Sequence, residues 1–150
     1  MRLAELARKR QRGQSLVELA ISLTVILLLL TGAVEMGLAL FQYVTMRDAA
    51  QEGALYGSLE PDDVAGMEER ARAAANDVIR LDVAEIDVTY SNPALIAQCE
   101  GLTSGVPHSV TVTITFEHPV TMPLIGAWIG NSIDLTASVT DTILQPPCHT

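Results

Sequence analysis

The chain has 150 residues, a formal net charge of −9 and a mean hydropathy of +0.30. A pI near 4.6 excludes the basic face that nucleic-acid phosphates require, and so much apolar residue with so little charge excludes a disordered chain. Two cysteines exclude a disulfide-dense miniprotein and a four-cysteine zinc site.

The charge is sorted along the chain. Residues 1–13 hold Arg2, Arg8, Lys9, Arg10 and Arg12 against Glu5, a net +4. Residues 14–44 hold only Glu18 and Glu35, and residues 45–150 sum to −11. A basic head, a greasy middle and an acidic body are the order of a membrane-anchored chain with its head in the cytoplasm and its body outside. Leu19–Val34 is a charge-free run of 16 residues, and the apolar character continues past Glu35 to Val44. From Leu19 to Val44 an α-helix is about 39 Å long, enough to cross a hydrocarbon core of about 30 Å. A buried core helix is the alternative, but a domain this small cannot surround it. A cleaved secretory signal at Thr31-Gly32-Ala33 is another, but the apolar run does not stop there.

Gly13 is followed five residues later by Glu18, at the lip of the span. A carboxylate there is costly near hydrocarbon and needs a partner. Cleavage after Gly13 creates one: an amino group on Gln14, one helical turn before Glu18, able to pair with Glu18 of its own chain or of a neighbour. This arrangement resembles the basic leader of type IV prepilins, which ends in glycine and is followed by glutamate at the fifth mature position. The plainer reading is that Gly13 caps the helix and Glu18 sits among headgroups.

No strong breaker occurs before Gly57-Ser58 and Pro61, so one helix is expected from about Ser15 to Tyr56. Ala49, Gly53 and Gly57 recur at i, i+4 and i+8, a small-residue stripe that lets another backbone approach closely, either the chain's own sheet or another subunit. Glu35 lies about 25 Å beyond Glu18, too far for a shared acid/base site. It either reaches outer headgroups or water, or pairs with a cation on a partner span.

The stretch from Gly13 to Gly57 resembles the TadE-like family of tight-adherence pilus assembly proteins. Val17-Glu18-Leu19-Ala20 opens the span, Gly32, Glu35 and Gly37 match the family's Gly-x-x-Glu-x-Gly, and Asp48-Ala49-Ala50-Gln51-Glu52-Gly53-Ala54-Leu55-Tyr56 follows. Gln51 and Leu55 stand where the family usually has arginine. The third strand and the linker before it also resemble the C-terminal part of such chains. The resemblance implies a non-enzymatic, pilin-like component of a tight-adherence pilus or related secretion machine, a minor pilin or pseudopilin. Its partners would be the membrane, a prepilin peptidase, the inner-membrane platform and other pilin-like subunits. A membrane-tethered ligand-binding or sensory module never assembled into a filament is the rival.

Residues 61–80 read as a second helix, with Pro61, Asp62 and Asp63 in its first turn and an apolar stripe of Val64, Met67, Ala71, Ala74 and Val78. Three alternating stretches follow: Ile86, Val88 and Tyr90; Val110, Val112, Ile114 and Phe116; Ile133, Leu135, Ala137 and Val139. Each reads as a strand with one wet face. The fold class is therefore α+β: a long N-terminal transmembrane helix running into a small domain with a second helix and an antiparallel meander of about three strands. The expected organisation is a leader over 1–13, the span and extended helix over 14–57, and an extracytoplasmic domain over 58–150. The linker from Pro119 to Asn131 is expected to form a short helix or turn that tucks Trp128 under the sheet.

No catalytic arrangement is present. His108, His118 and His149 show no metal-ligand spacing, no nucleophile elbow frames a serine, and no glycine loop cradles phosphate. No cofactor or metal is expected: Cys99, Cys148 and His149 lack a fourth ligand, and no calcium loop serves the acidic surface. In a meander, Cys99 precedes the second strand and Cys148 follows the third at the same end of the sheet. Outside the cytoplasm a Cys99–Cys148 disulfide is therefore expected.

Overall fold

The computed structural model describes residues 2–75, 79, 84–93 and 108–144. Helix α1 (Arg2–Leu59) is a single run of 58 residues, about 87 Å of helix. It extends beyond both expected ends, beginning at Arg2 rather than near Ser15 and continuing past Tyr56. Gly57 and Ser58 remain helical because Glu60 donates its N–H to the Tyr56 carbonyl at 2.9 Å and closes the last turn. Pro61, which has no N–H to continue the ladder, follows at once. The Ser58 carbonyl, orphaned at the helix end, accepts the Leu144 N–H at 2.8 Å, tying the far end of the chain to it.

Helix α2 (Val64–Ala75) begins three residues later than the sequence suggested. Pro61 and Asp62 form a turn, and Asp63 is the N-cap. Its carboxylate accepts the Gly66 N–H at 2.9 Å and the Tyr56 hydroxyl at 2.9 Å. Those two donors hold the Asp63 carboxyl below the usual carboxylate range, the Gly66 N–H contributing most. The buried stripe is Met67, Ala71 and Ala75, a strict i+4 repeat laid against α1. Val64 and Ala74, expected in it, are exposed: Val64 stands at the rim of the first turn and Ala74 one position round from the contact. Val78 lies outside the described residues, as do 76–77 and 80 of the expected second helix.

Strands β1 (Glu85–Tyr90), β2 (Ser109–Pro119) and β3 (Ser132–Thr142) form an antiparallel sheet in the order β1-β2-β3. The alternation sets the register. Val112 faces Val139, Ile114 faces Ala137 and Phe116 faces Leu135. On the wet face, the hydroxyls of Thr111 and Thr140 meet at 2.8 Å, and those of Thr113 and Ser138 at 3.1 Å. Between β2 and β3 lies α3 (Pro123–Ile129), a short helix in the expected linker. The Trp128 side chain is outside what is described, as are Cys99, Cys148 and His149.

The core sits between the distal half of α1 and everything else. Met46, Ala49, Ala50 and Ala54 of α1 are fully buried against Ala71 and Ala75 of α2 and Val112, Ile114 and Ala137 of the sheet. A second cluster of Met67, Val110 and Ile143 closes the end near Gly57. The domain therefore has α1 as one of its walls, and the proximal half of α1 leaves it as a bare apolar rod.

Candidate functional site

The rod is the first functional surface. Leu16, Leu19, Leu23, Ile26, Leu27 and Leu30 project on all sides of α1 and are all exposed, more than half so for each. A helix apolar all round is matched to lipid or to other such helices. Gly13, Gln14 and Glu18 lie in its first part, within one continuous helix, with Gln14 and Glu18 exposed. No residue of the domain comes to Glu18, whose carboxylate stands alone on the rod among the described contacts.

Where the rod enters the domain, one face of α1 turns inward. Glu35, Ala39, Gln42, Met46 and Ala49 recur at helical spacing and point toward the sheet, all but the half-buried Gln42 being buried. The other members of that stripe, Gly53 and Gly57, are where α2 and β2 come closest. A Cβ at Gly53 would meet the Met67 carbonyl oxygen at 3.1 Å, Ala71 Cβ at 3.3 Å and Val112 Cγ1 at 3.4 Å. A Cβ at Gly57 would stand 2.7 Å from Met67 Sδ. The Ala49–Gly53–Gly57 stripe thus lies against the chain's own helix and sheet. Gly37, by contrast, has open space around it, and a Cβ at Gly32 would lie 3.9 Å from Ile125 Cδ1 of α3.

The polar end of the stripe forms a built cluster. The inward-facing residues of β2 are Val110, Val112, Ile114, Phe116 and, one step on, His118. β2 runs antiparallel to α1, so His118 arrives beside Gln42 and Glu35. Its Nδ1 lies 2.5 Å from Gln42 Oε1 and its Nε2 3.3 Å from Glu35 Oε1. The chain then turns, and Thr121 donates its N–H to Glu35 Oε1 and its hydroxyl to Glu35 Oε2, both at 2.9 Å. The carboxylate accepts three bonds and is only 4% exposed. Both ring nitrogens of His118 face oxygens, so an imidazolium donates to both; a neutral ring would need the Gln42 amide turned to offer its NH2.

Sequence reasoning sent Glu35 either to headgroups and water or to a partner span. In the fold its partners are His118 and Thr121 of the same chain, because the end of β2 descends to this level of α1. Glu35 holds the domain onto the helix. Gln42 and Thr121 were not singled out from the sequence, and His118 was weighed there only as a metal ligand. The signal was there: His118 continues the inward parity of β2 by one residue, and Glu35 and Gln42 are seven apart on one helix face. Two polar groups placed on faces that must meet imply each other.

Among the described residues, no three His, Cys, Asp or Glu side chains converge in a way that would hold a metal ion. One cleft lies over Tyr56, Asp63, Gly66 and Arg70, with the Arg70 guanidinium 5.4 Å from the centre of the Tyr56 ring. The Tyr56 hydroxyl, the Asp63 carboxylate and the Gly66 N–H in it are already engaged in the α2 cap.

The fold and these contacts define a protein with, among the described residues, one helix of membrane-crossing length and composition, whose distal half is built into a small α+β domain. The family model described as TadE-like protein matches residues 13–55, from the glycine before the rod to the distal half of α1. No curated protein and no solved structure matches the chain.

Proposed function

We propose that the chain is a non-enzymatic, pilin-like subunit, a minor pilin or pseudopilin, that serves assembly of a tight-adherence pilus or a related secretion machine. The observation that carries this reading is the coincidence of the TadE-like match with α1: the matched segment supplies both a bare apolar rod and the wall of a folded domain. Such a helix is stored in a membrane by its proximal half, while its distal half presents a rigid head to partners. In this reading the basic leader over 1–13 lies in the cytoplasm of an inner-membrane, single-pass protein, and the acidic domain lies outside. A prepilin peptidase cleaves after Gly13, and the new Gln14 amine neutralises a Glu18 carboxylate that has no other described partner. The inner-membrane platform and other pilin-like subunits are the partners the rod meets.

Deleting the gene in its host tests the proposal. Surface pili should be lost or greatly reduced, and restored by the intact chain but not by a Glu18→Ala variant of equal abundance. Normal piliation in the deletion strain overturns it.

A further inference from the structure

The depth of the domain relative to the span can be counted. A hydrocarbon core of about 30 Å needs about 20 helical residues. The charge-free run between Glu18 and Glu35 supplies 16, about 24 Å. With one boundary just past Glu18, the other falls near Leu38, beyond Glu35. Nothing in the structure opposes this. Glu35 is turned away from the surroundings and its carboxylate is satisfied by Thr121 and His118. On the outward side α1 stays apolar, with Met36 72% exposed and Leu40 63% exposed.

The hairpin between β2 and β3 reaches below that boundary. Thr121 sits at the level of Glu35, and Ile125 of α3 approaches Gly32, six residues or about 9 Å inside Leu38. The hairpin is built for such a place. No Asp, Glu, Lys or Arg occurs from His118 to Ile133, and Ile129 is 54% exposed. The flanking charges, Glu117 and Asp134, face each other in register beside His118, back toward the domain. Several backbone N–H groups of the hairpin are paired: Val120 donates to Asn131 O and Gly126 to Met122 O, both at 2.9 Å, and Thr121 donates to Glu35. Hydrocarbon demands that of any backbone it surrounds.

We propose that the α3 hairpin, residues 119–133, is a second lipid-contacting element that enters the leaflet around the distal end of the span. Ile125 brings it against the apolar rod of α1 at Gly32, and lipid is its occupant. The inference rests on α1 spanning the membrane. It explains why a charged residue is tolerated at position 35: the hairpin that lies in lipid beside it is the element that caps it.

The test uses the full chain in phosphatidylcholine vesicles with bromine placed either shallow or deep on the acyl chains. Trp128 is the only tryptophan, so the native chain reports from α3 directly; Trp128→Phe with Ile129→Trp moves the reporter to a position known to be exposed. Both should show blue-shifted emission, quenched more by shallow than by deep bromines and inaccessible to aqueous iodide. A third chain, Trp128→Phe with Leu27→Trp, reports on the span itself and should be quenched most by deep bromines. Quenching at 27 with red, iodide-accessible emission at 128 and 129 overturns the inference and leaves the span standing. Emission at 129 that ignores bromine but changes with protein-to-lipid ratio makes a second copy the occupant and overturns it likewise. No quenching at any of the three positions removes the span.

Discussion

Filling Gly53 should push α2 off α1 and melt the domain from its centre. Two terms oppose each other at this site. Replacing a helical glycine gains about 1 kcal/mol of helix propensity. Against that, the first added carbon already meets the Met67 carbonyl oxygen at 3.1 Å and Ala71 Cβ at 3.3 Å, both on α2, and Val112 Cγ1 at 3.4 Å on the sheet. A single methyl asks α2 to move by a few tenths of an ångström, so Gly53→Ala should be close to neutral. Gly53→Leu adds three more carbons with no void to enter, and overpacking of this kind costs about 1–3 kcal/mol or more. Taking a net loss of about 2 kcal/mol, the melting temperature of a domain of this size should fall by about 8–16 °C. Gly37→Ala is the control: nothing lies within 4 Å, so the propensity gain stands alone. The assay is thermal unfolding of the full chain in detergent, followed by near-ultraviolet circular dichroism, which reads the domain and not the persistent helicity of the rod. Equal melting temperatures for wild type and Gly53→Leu would refute the packing of α2 and β2 on this face.

Four further outcomes are expected. In cells with the cognate peptidase the mature chain should begin at Gln14, and Gly13→Leu should block this; an intact leader, or a start near Val34, seen by N-terminal sequencing would refute it. A reporter fused after Thr150 should be active only outside the cytoplasm, and cytoplasmic activity would reverse the assigned topology. Cys99 and Cys148 should be disulfide-bonded in protein from an oxidising compartment, closing a loop of about 49 residues for roughly 4 kcal/mol; two alkylatable thiols per chain in unreduced, denatured protein would exclude the bond. Asp63 should make the start of α2 acid-sensitive: its folded pKa lies below the unfolded value of about 3.9, so its contribution is full above that value and is lost as pH falls through the folded one. Asp63→Asn keeps an N-cap acceptor without the charge and should flatten that acid loss in pH-dependent melts, whereas identical profiles would show that the carboxylate contributes nothing.

Much of the architecture was legible because its signals are local. The charge-free run announced α1, and the alternation of Val110, Val112 and Ile114 against the threonines announced β2; the antiparallel meander was expected as the simplest sheet, its strand order not being readable from the sequence. The end of α1 and the start of α2 were less legible, since Pro61, Asp62 and Asp63 suit either a first helical turn or the turn before it; Asp63 resolved to the cap because Tyr56, seven residues back, offers its hydroxyl. The Glu35 cluster escaped because it joins residues more than eighty positions apart. No periodicity within one element states which level of a helix a strand will reach. Only the antiparallel course of β2 along α1, fixed by Val112 near Gly53 and His118 near Gln42, determines it.

Affinity isolation of the intact chain from gently solubilised membranes of its host tests the central claim most directly. The account predicts that other pilin-like subunits and the inner-membrane platform are recovered with it, and that shortening the rod by deleting part of Leu19–Val34 while keeping the domain folded loses them. A monodisperse monomer that brings down none of them, in cells that are making pili, would contradict it.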